Sequence, residues 1–181
     1  TLTRRSLLTS ATAAAVSTTL RMPLALAEER VSAADVSRLN RNVNVTPFIG
    51  SGVGRLGGDE VRLIRRLGFA GVRLPIDPLR LGLSYTSSSP QFSLVPHVFD
   101  AVRSSVRSLV DEGMTVTITM HPQRTFMSKV AGDERVQRLF ARLWAQIAND
   151  LGRIDSDLVV FEILNEPNSD LTVELWNELQ P

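Results

Sequence analysis

The sequence predicts an α/β fold, a (β/α)8 TIM barrel of which about the first four βα units are present. Three observations carry this expectation. Short apolar, β-branched runs alternate with segments whose apolar residues recur every three or four positions, the signature of parallel strands joined by helices. Successive runs begin roughly 28 to 44 residues apart, one βα unit each. The chemically capable polar residues gather after the strands, at the end of the sheet where barrels carry their functional loops. A whole barrel takes about 250 residues. A chain of 181 is therefore expected to hold about half of one.

Taken in order, a short helix is expected at about 33–39, before a first strand from Val43 to Ile49. Gly50 to Gly58 reads as a loop. Asp59 is expected to cap a helix that turns Val61, Ile64 and Leu67 to one side, with Gly68 closing it. The second strand is Gly71 to Ile76. A long Ser- and Pro-rich loop follows, and Pro96 suits the first turn of a helix over about 97–112. That helix aligns Val98, Val102, Val106, Leu109 and Val110 and stops at Gly113. The third strand is Met114 to Met120. A helix from about Asp133 then repeats Val136, Leu139, Phe140, Leu143, Trp144, Ile147 and Leu151 at helical spacing. The fourth strand is Leu158 to Leu164, and Asp170 is expected to cap a last helix, Leu171 to Leu179.

The N-terminus reads differently. Thr3-Arg4-Arg5-Ser6-Leu7-Leu8 opens an Ala/Ser/Thr-rich stretch that reaches Arg21 and then Ala25-Leu26-Ala27, an A-x-A cleavage pattern. This resembles a twin-arginine export signal, an address rather than a structural element. The expected division is residues 1–27 as signal and 28–181 as the N-terminal part of the barrel, exported to a periplasmic or extracellular location. The resemblance implies the twin-arginine export machinery as a partner.

Composition narrows the chemistry. The 20 basic residues less Arg4, Arg5 and Arg21 leave 17 against 19 acidic ones, a net charge of −2 after cleavage. Lys129 is the only lysine and the arginines are scattered, so no basic patch for nucleic acid is expected. With no cysteine there is no disulfide, thiolate nucleophile or zinc–thiolate site. No H-E-x-x-H or clustered acidic loop suggests a metal, and no cofactor is expected. No apolar run is long enough to anchor the mature chain in a membrane.

The run Val159-Val160-Phe161-Glu162-Ile163-Leu164-Asn165-Glu166-Pro167 is the most telling. It reads as a buried parallel strand that Pro167 stops, because proline offers no N–H to the ladder. Glu166 thereby stands at a strand tip, where a carboxylate is a candidate acid/base. Arg73 in the second strand and His121 after the third join it.

Here the sequence resembles the glycoside hydrolase family 5 cellulases, in the retaining clan whose acid/base glutamate follows an asparagine at the fourth strand. The resemblance rests on Gly68-Phe69-Ala70-Gly71-Val72-Arg73-Leu74-Pro75, on Gly113-Met114-Thr115-Val116-Thr117-Ile118 leading to His121, and on Phe161 to Pro167. It covers about residues 40–181. It implies a retaining β-glycosidase cleaving a β-glucan or related β-glycan, with a β-linked oligo- or polysaccharide as ligand. Glu166 is implied as the general acid that then becomes the base. Asn165 is implied to hydrogen-bond the sugar 2-hydroxyl, Arg73 to orient an ionised nucleophile, and His121 to line the sugar site. The nucleophile glutamate is implied on the seventh strand and expected beyond Pro181, so residues 28–181 alone are expected not to hydrolyse glycosides.

Several residues have plainer readings. Arg73 can pair with Glu162 on the fourth strand, and the two roles are compatible. His97 reads as structural, Trp144 as core and Trp176 as helix packing, while Tyr85 in the long loop is the candidate for stacking on a sugar ring. Two other classes stay open. One is a non-catalytic glycan-binding half-barrel. The other is a Rossmann-type oxidoreductase, suggested by Gly52-Val53-Gly54-Arg55-Leu56-Gly57 with Asp77 at the next strand's end. Pro47, the unusual polarity that Asn42 and Asn44 give the first strand, and the acidic pair Asp59-Glu60 argue against it.

Overall fold

A computed structural model describes residues 39–49, 54–85, 88–154, 157–168 and 170–179. The expected signal, and the expected helix at 33–39 except Leu39, lie outside the described residues.

Four parallel strands form one sheet in the order of the sequence: β1 (Asn42–Asn44), β2 (Gly71–Ile76), β5 (Thr115–Met120) and β6 (Val159–Glu162). Between them run α1 (Gly58–Arg66), α2 (Pro96–Asp111), α3 (Phe126–Gly132) and α4 (Glu134–Leu151), and α5 (Val173–Leu179) follows β6. Consecutive parallel strands with a helix in each connection are the barrel arrangement. The structure therefore bears out the fold class, as part of a (β/α)8 barrel.

Register divides the sheet into two chemically distinct faces. Val72 is level with Val116, and Val116 with Val159; Leu74 is level with Ile118, and Ile118 with Phe161. Because side chains alternate along each strand, these apolar residues share one face. Val72, Leu74, Val116 and Ile118 are fully buried there. α2 and α4 supply their apolar stripes to the same core: Val98, Val102, Val106 and Leu109 from one, Val136, Phe140, Leu143, Ile147 and Leu151 from the other. Each such side chain contributes about 1.5–3 kcal/mol by leaving water. The opposite face carries Asn44 level with Arg73, Arg73 level with Thr117, and Thr119 level with Glu162. In a barrel that face is the interior.

Local signals explain most boundaries. Pro96 stands in the first turn of α2, and Gly113, at φ +69, turns the chain into β5. The Asp133 carboxylate accepts from the Arg135 N–H at 2.9 Å and starts α4. Ser105, buried on α2, donates to the Ala101 carbonyl and accepts from the Leu56 N–H at 3.0 Å, tying α2 to the segment before α1.

Six expectations change. α1 is capped at Gly57, whose N–H donates to the Glu60 carboxylate at 3.0 Å, rather than at Asp59. Leu67 is 67% exposed, because α1 ends at Arg66 and the chain turns before completing the stripe. β1 stops at Asn44, with Phe48 regaining a bridge to Ile76; Pro47, without an N–H, lies between. The long loop holds a small antiparallel hairpin, β3 (Leu83–Ser84) with β4 (Gln91–Phe92), and α3 precedes α4. α5 begins at Val173, where Thr172 Oγ1 accepts from the Leu175 N–H at 3.2 Å, while the Asp170 N–H is held by Asn168.

Candidate active site

The chain beyond β5 and β6 brings His121, Asn165 and Glu166 to one end of the sheet, where Arg73 reaches Asn165 from within β2, and backbone bonds fix His121 and Asn165. The His121 N–H donates to the Ile76 carbonyl and the Asn165 N–H to the Met120 carbonyl, both at 2.8 Å. These bonds extend the β2–β5–β6 ladder one step beyond the strands and hold the segment preceding Glu166 in register. Glu166 itself is exposed and has φ +47, a left-handed conformation that a glutamate adopts only where its surroundings impose it.

Arg73 is the hub. Its Nε donates to Glu162 Oε2 at 2.8 Å and its Nη2 to Glu162 Oε1 at 2.5 Å. Nη2 also reaches Asn165 Oδ1 at 2.8 Å and Thr119 Oγ1 at 3.3 Å, and Nη1 reaches Asn44 Oδ1 at 3.4 Å. A forked, charge-assisted contact of this kind fixes the guanidinium plane as well as its position. The pairing holds the Glu162 carboxyl below its usual range, chiefly through the Arg73 hydrogen bond, against an opposing effect of partial burial. Thr119 and the field of His121 act in the same direction. The same hydrogen bond raises the Arg73 guanidinium further, with smaller contributions from the charges of Glu162 and Glu166.

His121 is half-buried, and its Nδ1 is enclosed without a hydrogen-bond partner among the described residues. Tyr85 departs from expectation. It is 1% exposed, its ring meeting the edge of Phe126 at 5.0 Å, so no face is offered to a sugar. Burial first, then the nearby Asp77 carboxylate, pushes its phenol up to about 12. Its ring is part of the core between the β3–β4 hairpin and α3.

Asn44 and Thr119 are the residues that sequence reading did not place at the site. The polarity of the first strand is the one signal for Asn44, and nothing in the sequence marks Thr119 on the third. Trp144 is half-buried and packs against the core, and its Nε1 donates to the Ile163 carbonyl at 3.0 Å. A concavity of about 470 Å³ opens at the other end of the sheet, among Arg65, Phe69, Met114, Thr115 and Leu158. In barrels that end serves stability, so the Asn165-Glu166 end remains the candidate site.

With an acid/base candidate at the end of the fourth barrel strand and an arginine on the second reaching the asparagine beside it, the comparison with known families is decisive. The model of the cellulase family, glycosyl hydrolase family 5, matches residues 56–181. The chain belongs to glycosyl hydrolase family 5. Among curated relatives, cellodextrinase A of Ruminococcus flavefaciens is 27% identical over 128 residues, which cover 67% of this chain and 36% of that protein. Among solved structures, the endoglucanase Cel5A of Thermotoga maritima is similar at 26% identity and a TM-score of 0.64, over 81% of this chain and 46% of that one. The cellulose synthase subunit Z of Clostridioides difficile is similar at 27% identity and a TM-score of 0.60, over 77% and 45%. The chain thus spans about a third of the curated relative's length and under half of each solved structure's.

Membership in family 5 displaces the dinucleotide reading. The local geometry agrees, because the N-terminus of α1 is closed by its own Glu60 carboxylate and the Asp77 carboxylate accepts from the Leu79 N–H at 2.9 Å. Among the described residues no group of His, Cys, Asp and Glu is arranged to hold a metal ion, and no helix is long and apolar enough to cross a membrane.

Proposed function

We propose that this chain carries the acid/base half of a retaining β-glycosidase that cleaves a β-glucan or related β-glycan. The observation that carries the reading is the 2.8 Å bond from Arg73 to Asn165, next to an exposed Glu166 at the end of a barrel sheet of family 5. In this reading Glu166 protonates the glycosidic oxygen as the bond breaks and afterwards takes a proton from the attacking water. Asn165 holds the 2-hydroxyl, a contact that strengthens as positive charge develops at the anomeric carbon. His121 lines the sugar site.

Retaining chemistry needs a second carboxylate about 5–5.5 Å from the first. Glu162 is engaged by Arg73 through two hydrogen bonds and is not assigned that role. Nε and Nη2 of Arg73 are taken by Glu162, Asn165 and Thr119, which leaves Nη1, with only the long contact to Asn44, as the edge facing a further carboxylate. The nucleophile is accordingly proposed to be a carboxylate outside the described residues. Residues 1–27 are proposed as a twin-arginine signal and 28–181 as barrel, with a periplasmic or extracellular destination.

The test uses the complete gene product and an aryl β-cellobioside. Glu166→Ala should abolish turnover of substrates with poor leaving groups. Azide should restore release from an activated aryl glycoside and yield a β-glycosyl azide. Binding of glucan without hydrolysis by the unaltered protein would overturn the reading.

A further inference from the structure

Asn165 ends in an ambivalent group, an oxygen that accepts and a nitrogen that donates, and which end faces a ligand is decided by what holds the other. Arg73 Nη2 holds Oδ1 at 2.8 Å, and Nδ2 makes no hydrogen bond among the described residues. The amide is thereby oriented with its donor end outward. Nη2 can do this only while the guanidinium plane is fixed, and the fork onto Glu162 fixes it, at 2.8 Å through Nε and 2.5 Å through Nη2. Thr119, fully buried and level with Glu162 in the β5–β6 register, closes the arrangement with its Oγ1 at 3.3 Å from Nη2.

We propose that Glu162 is a positioning residue that sets the orientation of the Asn165 amide through Arg73, so that Asn165 meets the substrate as a hydrogen-bond donor. The proposal rests on the glycosidase reading for its substrate, but not for its geometry. Loss of the fork leaves the guanidinium free to rotate about its last torsions, and the Asn165 amide free to flip. An amide that donates in only part of its population loses a contact made chiefly in the transition state, which lowers kcat and leaves KM unchanged. A merely structural ion pair would instead change stability and leave the amide where it is.

The experiment follows the Asn165 side-chain amide by NMR in the complete gene product labelled with 15N-asparagine, alongside turnover of an aryl β-cellobioside. Expected for Glu162→Gln are displaced Asn165 Nδ2 proton signals, a fall in kcat of about tenfold with KM within about twofold, and no further loss on an Asn165→Ala background. Glu162→Asp should restore part of both signals. Unmoved amide signals in Glu162→Gln would overturn the proposal whatever the activity, as would moved signals with an unchanged kcat. If the unaltered protein hydrolyses nothing, the glycosidase reading fails alone, and the amide signals decide this proposal: displacement supports it and constancy overturns it. Should Glu162→Gln not fold, Arg73→Lys gives the same readings, since lysine cannot fork.

Discussion

Trp144 Nε1 donates to the carbonyl of Ile163 at 3.0 Å, which ties the outer helix α4 to the backbone two residues before Asn165. The indole also meets Phe161 edge-on at 5.9 Å, so one side chain fills the helix–sheet interface and satisfies a strand-end carbonyl. Trp144→Phe keeps much of the packing and removes the donor. The carbonyl is then left without its partner in a half-buried place, at a cost of about 1–3 kcal/mol. Urea unfolding should show that loss; a midpoint unchanged from the unaltered protein would mean that water replaces the indole freely.

Gly71 is a position where a methyl group has no room. A Cβ there would lie 2.0 Å from Thr115 Oγ1, 2.5 Å from Asn42 Oδ1 and 2.7 Å from the Thr115 carbonyl oxygen. The last is backbone of the adjacent strand and cannot swing aside. Gly71→Ala should therefore spread β2 from β5 and cost about 1–3 kcal/mol or more, read as a lower melting temperature. Unaltered melting would show that Thr115 and the ladder yield easily.

On α1 the apolar positions are unequal. Val61 is fully buried, whereas Leu67 lies past the last turn and faces solvent. Val61→Ala should cost about 2 kcal/mol, from lost transfer energy and a residual cavity. Leu67→Gln should stay within about 0.5 kcal/mol of the unaltered protein. Equal losses in chemical denaturation would contradict this division of the helix.

Asp133 starts α4, and Arg135 holds its carboxyl down to about 2 from an ordinary 3.8 through a side-chain hydrogen bond. The folded value lies below the unfolded one, so the unfolded chain binds the proton more readily at intermediate pH. The contribution is therefore complete above the unfolded value and is lost as pH falls from about 4 toward 2. Asp133→Asn retains a capping oxygen but cannot titrate. The melting temperatures of the two proteins should converge as pH falls through this window; a constant separation would remove the linkage.

How much of this was legible in sequence depended on the range of the deciding contact. β2 and β5 were plain because alternation, glycine punctuation and neighbouring helices agree locally, and Gly71 and Arg73 stood in a recognisable motif. The β3–β4 hairpin has two residues per strand, too few for a period to show. α3 is two turns long, too short for its period to stand out from the loop before α4. Tyr85 looks like an exposed loop residue in sequence because its burial is decided by Phe126, far along the chain, and nothing near Tyr85 signals that neighbour. Arg73 and Glu162 were readable as a pair, since both carry charge on strands. Asn44 was not, because its polarity looked like a reason against a central strand, whereas it lies on the interior face level with Arg73.

Glu166 combines a proposed catalytic role with an unfavourable backbone, at φ +47. A side chain with a Cβ pays about 1–3 kcal/mol in that region, and asparagine pays least among residues other than glycine. Pro167 follows directly, which restricts relaxation of the peptide before it. The strain is thus retained at the residue whose proposed role requires a carboxylic acid. Glu166→Asn should raise stability by about 0.5–1 kcal/mol while removing hydrolysis, the opposite signs expected where function holds a strained residue in place. The exposed side chain makes the comparison clean, because its replacement opens no cavity. A lower melting temperature for Glu166→Asn would mean that the conformation is not strained, and that the glutamate is held by contacts whose loss outweighs the relief.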